Sequence, residues 1–127
     1  MSIKKYKKRE NQVITGIQLT LDTGGFDYKK WGGNQRCKAG DWIVNSDGDC
    51  YTVDQESFAK TYTEVAPGQY LKTATIWAEQ VETAGFVDTK EGRSAYKLGD
   101  YIAYNNEDCT DSYAITKEKF AQKYRED

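Results

Sequence analysis

Two acidic residues recur in one short setting, Gly40-Asp41-Trp42-Ile43 and Gly99-Asp100-Tyr101-Ile102. A pair of carboxylates brought together can serve as acid and base or hold a divalent ion. The same side chain after a glycine also builds turns, accepting hydrogen bonds from nearby backbone N–H groups. One acid per block, with no neighbouring ligand set, favours the turn. Two other segments pair glycine with arginine: Gly32-Gly33-Asn34-Gln35-Arg36 and Glu91-Gly92-Arg93. Freed backbone N–H groups and a guanidinium fork suit a phosphate or a partner's carboxylate. Trp31 and Tyr96 stand beside them to stack on a ligand. The spacing matches no phosphate-loop or dinucleotide fingerprint, so two plain surface loops are the competing reading. Trp31, Trp77 and Tyr104 form a last group. They either present a contact surface, where Trp and Tyr dominate binding energy, or fill an internal seam.

Missing residue types narrow the chemistry further. With no histidine, Ser-His-Asp and Cys-His nucleophiles and imidazole-bound metals are excluded. Cys37, Cys50 and Cys109 contain no CxxC and suggest neither a disulfide framework nor a zinc cluster. The acids Asp47, Asp49, Glu107, Asp108 and Asp111 lack the spacing of a calcium loop and read as solvated turns. No metal and no cofactor are expected, and the chain reads as a non-enzyme.

Charge is unevenly placed along the 127 residues, whose net charge is −2. Lys4, Lys5, Lys7, Lys8 and Arg9 put five basic residues in the first nine positions. Such an arm can touch an acidic partner, or it is a solvated leader that keeps a sheet edge soluble. No basic stripe continues beyond it, so nucleic acid is not the expected partner. No apolar stretch suits a leader or a membrane span, and a cytoplasmic location is expected.

The elements that must position these residues come from an internal repeat. Lys38-Ala39-Gly40-Asp41-Trp42-Ile43-Val44 reads against Lys97-Leu98-Gly99-Asp100-Tyr101-Ile102-Ala103, and Tyr51 to Glu64 reads against Tyr113 to Glu126. Upstream, Ile14 to Leu19 matches Ile76 to Val81. The division places a first repeat with its basic arm at 1–66 and a second at 67–127, joined at Pro67-Gly68. Val13–Leu21 and Thr73–Val81 read as strands, with Val13, Ile17, Leu19 and Leu21 on one buried face. Loops over 24–39 and 84–98 follow, then two further strands in each copy. In the first copy Asp47-Gly48 supplies a hairpin turn. Asp54 and Thr116 cap short helices that bury Phe58 with Tyr62 and Phe120 with Tyr124. The predicted class is α+β: two copies of a β-loop-β-β-α unit with antiparallel sheet, packed as one pseudo-symmetric domain. A sixty-residue unit is marginal alone, which favours a shared core.

The paired Gly-Asp-aromatic-Ile blocks carry a resemblance. Lys97-Leu98-Gly99-Asp100-Tyr101-Ile102 resembles the signature of the PGDYI family of small bacterial and phage proteins, with leucine in place of proline. Lys5-Tyr6-Lys7-Lys8, Gln18, Gly40 to Ile43, Tyr51 and Phe58 to Tyr62 are similar to a wider group of small phage and prophage proteins. The resemblance implies a mobile-element or bacterial cytosolic setting and supplies no catalytic residues. On these grounds the chain is expected to be a non-enzymatic binding protein that engages a host protein through exposed aromatics and loops, with a host-directed or anti-defence role. A monomer or homodimer is expected. The alternative is a protein that binds or sequesters a nucleotide-like anion between the copies or at the Arg36 and Arg93 loops.

Overall fold

The computed structural model describes residues 3–127. Its elements are β1 (Lys4–Lys8), β2 (Ile14–Gln18), β3 (Phe26–Lys30), β4 (Gly33–Cys37), β5 (Trp42–Ser46), β6 (Asp49–Val53), α1 (Gln55–Thr61), β7 (Tyr62–Ala66) and β8 (Gln69–Lys72). The second half adds β9 (Ile76–Gln80), β10 (Gly85–Asp88), β11 (Arg93–Tyr96), β12 (Tyr101–Tyr104), β13 (Ser112–Ile115), α2 (Lys117–Lys123) and β14 (Tyr124–Glu126). The expected α+β class is therefore corrected. The protein is mainly β, about 51% strand against 11% helix, in several antiparallel sheets, and no duplicated β-loop-β-β-α unit is present.

Three local causes account for the difference. The segments read as loops contain the hairpins β3–β4 and β10–β11. Trp31 and Gly32, at φ 55° and 74°, make the turn of β3–β4, a backbone twist that favours tight pairing. Those hairpins hold too few aliphatic residues for an apolar alternation to reveal them. Each helix is only seven residues long, because Tyr62 and Tyr124 are its C-caps and open strands instead of extending it. Finally, the basic arm is not at an edge: β1 lies inside a sheet, between β9 and β14, with Lys4 and Lys5 exposed and Lys8 buried.

Two five-stranded sheets dominate, ordered β6-β5-β2-β8-β7 and β13-β12-β9-β1-β14. Their strands correspond one to one, with β8 in the first sheet standing where β1 stands in the second. Each of these two strands is thus paired with strands from the other side of the Pro67-Gly68 turn, which itself is the hairpin joining β7 to β8. Tyr6 with Lys8, and Tyr70 with Lys72, point the same way on these strands by the alternation of a pleat.

The core forms two clusters. Ile14, Val44 and Phe58 are buried with Trp42 and Tyr62 against them; Ile76, Ala78, Ala103, Phe120 and Tyr124 form the other. The expected buried row of β2 is inverted: Val13, Ile17 and Leu21 are 42%, 66% and 71% exposed, while Ile14 is 1% exposed. Gly16 shares the inner face with Ile14, and a Cβ there would stand 3.6 Å from the rings of Trp42 and Tyr70, which fill that space.

The Gly-Asp blocks are structural. Asp41 accepts hydrogen bonds from the backbone N–H groups of Lys38 (2.9 Å) and Gln55 (3.0 Å). Asp100 does the same for Lys97 (2.9 Å) and Lys117 (3.2 Å). Each carboxylate ties the turn before a strand to the first residue of the helix. Gln18 and Gln80 brace the same turns, donating to the carbonyls of Gly40 and Gly99 at 3.0 Å each. The expected caps Asp54 and Thr116 accept from first-turn N–H groups.

Candidate functional site

A cavity of about 180 Å³ lies where the two halves meet. Its wall includes Lys8 of β1, Lys72 of β8, Tyr51 of β6, Tyr113 of β13, and Tyr62 and Tyr124 at the helix ends. The volume exceeds a single-water void yet falls below the ~300–1,000 Å³ of sites for drug-sized ligands. Strand register places the two lysines equivalently: Lys72 sits opposite Tyr62, and Lys8 opposite Tyr124.

Burying a lysine is costly unless it is paired. Lys8 and Lys72 are 4% and 5% exposed. Lys8 has no hydrogen-bond or ion-pair partner among the described residues; its ammonium lies 5.1 Å from the centre of the Tyr124 ring. Lys72 donates to the Tyr113 hydroxyl at 3.0 Å and lies over the Tyr113 ring at 4.7 Å. Burial pushes Lys8 down to about 7, and repulsion from Lys72 and Lys123 adds to the shift. Burial likewise takes Lys72 to about 7, against the opposing pull of Asp111 and Glu91. Near neutral pH both groups are poised between charged and neutral.

Tyrosine hydroxyls line the space between them. Tyr113 and Tyr124 share a hydrogen bond of 2.9 Å, and Tyr51 bonds to Tyr62 in the corresponding place. Burial raises all four phenols, Tyr51 to about 12, so they remain protonated donors. Each helix also reaches across to the other half. Lys119 of α2 donates to Asp49 at 2.8 Å, and Lys123 donates to Ser46 at 2.8 Å. From α1, Ser57 donates to Asp111 at 2.5 Å.

The site residues expected from sequence fall in three separate places. Trp31 alone reaches the cavity wall, its ring 5.7 Å from that of Tyr51. Arg36 and Arg93 face solvent, each held 2.9 Å from a carboxylate of its own hairpin, Asp27 and Asp88. Tyr96 packs its hydroxyl against Gly85 in the second hairpin. Trp77 and Tyr104 are cross-strand neighbours on β9 and β12, and the Tyr104 hydroxyl donates to Glu79 at 3.3 Å. The two Gly-Arg hairpins do meet, through backbone bonds from Arg36 N to Glu91 O (2.6 Å) and from Ala95 N to Trp31 O (2.7 Å). Their role is to join the halves beside the cavity.

Lys8, Lys72 and the tyrosine quartet were missed by sequence reasoning. Their signal was available: Lys5-Tyr6-Lys7-Lys8 repeats as Gln69-Tyr70-Leu71-Lys72, and Tyr51 and Tyr62 repeat as Tyr113 and Tyr124. A lysine kept at an inward strand position is the informative member. Among the described residues no group of three His, Cys, Asp or Glu side chains is placed to hold a metal ion, and no helix is long and apolar enough to cross a membrane. Cys37 is buried, and all three cysteines are unbridged. Comparison of the chain with protein families, curated proteins and solved structures finds no match.

Proposed function

We propose that this chain is a non-enzymatic binding protein that holds a compact anion in the cavity between its halves. The observation that carries the reading is Lys8, a buried ammonium open to the cavity with no hydrogen-bond or ion-pair partner among the described residues. An anion between Lys8 and Lys72 supplies the missing counter-charge, and tyrosine hydroxyls complete its hydrogen bonds. The volume suits a phosphate- or carboxylate-sized group; a whole nucleotide exceeds it, so only the anionic end of such a ligand would enter.

Thermal unfolding in sodium sulfate, with sodium chloride at equal ionic strength as control, tests this. At 100 times its Kd a bound anion adds about 2.7 kcal/mol of stability. Because sulfate also stabilises proteins by exclusion from their surface, the deciding quantity is the difference between the wild type and Lys8→Met. A sulfate effect equal in both proteins rejects the proposal.

A second reading rests on Trp77 and Tyr104, side by side on the outer face of a sheet. Such a pair suits docking of a protein partner, in keeping with a host-directed role. A pull-down from bacterial lysate whose specific product survives Lys8→Met but is lost in Trp77→Ala/Tyr104→Ala would support it. Retention of the product by that double variant would exclude this face.

A further inference from the structure

The two ends of the cavity are chemically unlike, although the strands that build them correspond. Near Lys8 the charged neighbours are Lys72 and Lys123, and Lys123 is held by the Ser46 hydroxyl. The position matching Ser46 is Asn105, two residues past Ala103 as Ser46 is two past Val44, and the one matching Lys123 is Thr61. Thr61 turns its hydroxyl back to the Ser57 carbonyl at 2.6 Å instead of crossing to the other half. Asn105 lines the cavity and donates its amide to Asp111 at 3.0 Å. Its carbonyl oxygen is left buried with no hydrogen-bond partner. The carboxylate of Asp111 needs a donor, which fixes the direction of the Asn105 amide and leaves the oxygen as the free atom. A buried acceptor without a partner costs about 1–3 kcal/mol, so a group that satisfies it is favoured there. Asp111 and Glu91, the acids that act on Lys72, add acceptor character to this end.

We infer that the ligand is a compact anion bearing a hydroxyl group: its anionic end meets Lys8, and its hydroxyl donates to the Asn105 carbonyl oxygen. This rests on the anion reading above and sharpens it. It gives a role to Asn105, which stands where strict correspondence would have repeated Ser46. A symmetric dianion would meet the Asn105 oxygen and Asp111 with like polarity and leave that oxygen without a donor.

Three probes separate the two ends: inorganic phosphate carries only the anion, glycerol only the hydroxyls, and glycerol 3-phosphate both. Calorimetric titration of the full chain at pH 6.5 is expected to show glycerol 3-phosphate binding at least tenfold more tightly than phosphate, with no measurable binding of glycerol. Asn105→Leu is expected to remove that preference. Lys8→Met is expected to weaken both anions tenfold or more, with unchanged far-ultraviolet circular dichroism confirming the fold. Equal affinity of the wild type for phosphate and glycerol 3-phosphate overturns the hydroxyl inference and leaves the anion site standing. Binding of neither overturns both. Because the ligand comparison is made on the wild type, it holds even should Asn105→Leu not fold.

Discussion

In the first half Trp42 stacks on Phe58 at 4.0 Å and Phe58 on Tyr62 at 4.6 Å. In the second, Tyr101 stacks on Phe120 at 3.9 Å and Phe120 on Tyr124 at 5.3 Å. Tyr70 and Tyr6 then meet Phe58 and Phe120 edge-on, at 5.1 and 4.7 Å. The aromatic stacking is thus alike on both sides, with the Phe58–Tyr62 pair closer than Phe120–Tyr124. The polar wall is not: Ser46, Ser57 and Thr61 face Asn105, Lys119 and Lys123 at corresponding positions. Packing tolerates little change in shape, whereas groups around a cavity can change with what the cavity holds. On the proposed anion binding, the shared part would support the cavity and the unlike part would select its occupant.

The largest expected effect tests the shared part. Phe58→Ala and Phe120→Ala should each cost about 3–5 kcal/mol in urea unfolding, by similar amounts. Since β1 and β8 cross between the sheets, each variant should still unfold in one transition. Two separated transitions would show that the halves are independent.

Next come the carboxylates of the turns. Asp41→Ala and Asp100→Ala each strand two backbone N–H groups, a loss of about 2–3 kcal/mol by the same measurement. Asp41 also meets the Lys38 ammonium at 3.1 Å, but that lysine is half exposed and adds little. A loss confined to one variant would break the correspondence of the two turns.

The unlike part governs pH dependence. The folded-state pKa values of Lys8 and Lys72 lie near 7, below those of an unfolded lysine, about 10.4. Between these limits the unfolded chain binds more protons, so stability without ligand should rise as pH increases from 7 to 9. The rise is bounded by about 1.4 kcal/mol per pH unit for each lysine. Lys8→Met should flatten the slope and stabilise the chain near pH 6.5. Sulfate affinity should run the other way, falling as pH rises through 7. Phenols raised by burial reverse the stability trend only above about pH 10, outside this range.

The smallest effects are expected at the exposed arginines. Arg36→Ala and Arg93→Ala should change stability by at most about 1 kcal/mol and leave anion affinity unaltered, since both guanidinia pair with surface carboxylates outside the cavity. A large loss of affinity would return the binding site to those loops.

Local chemistry was legible in the sequence wherever one side chain decides the geometry. Asp54 and Thr116 as caps, the Asp47-Gly48 turn, and Asp41 and Asp100 as turn-binding carboxylates all follow from short-range hydrogen bonding. Strand partners were not legible. Nothing near Lys4–Lys8 indicates that it pairs with Ile76–Ala78 and Tyr124–Glu126, because that pairing is satisfied by backbone groups common to every residue. Lysine-rich composition suggested solvent, and only the alternation of the strand turns Lys8 inward. The site was missed for the same reason: it exists only once β1 and β8 have crossed.

The state of the two buried ammonium groups tests the central claim most directly. Nitrogen-15 NMR of the lysine side chains, titrated from pH 5 to 11 with and without saturating sulfate, reads them individually. Lys8 and Lys72 are expected to titrate near 7 in chloride, and sulfate to raise both by at least one pH unit. Titration of both near 10.4, unchanged by sulfate, would contradict that claim.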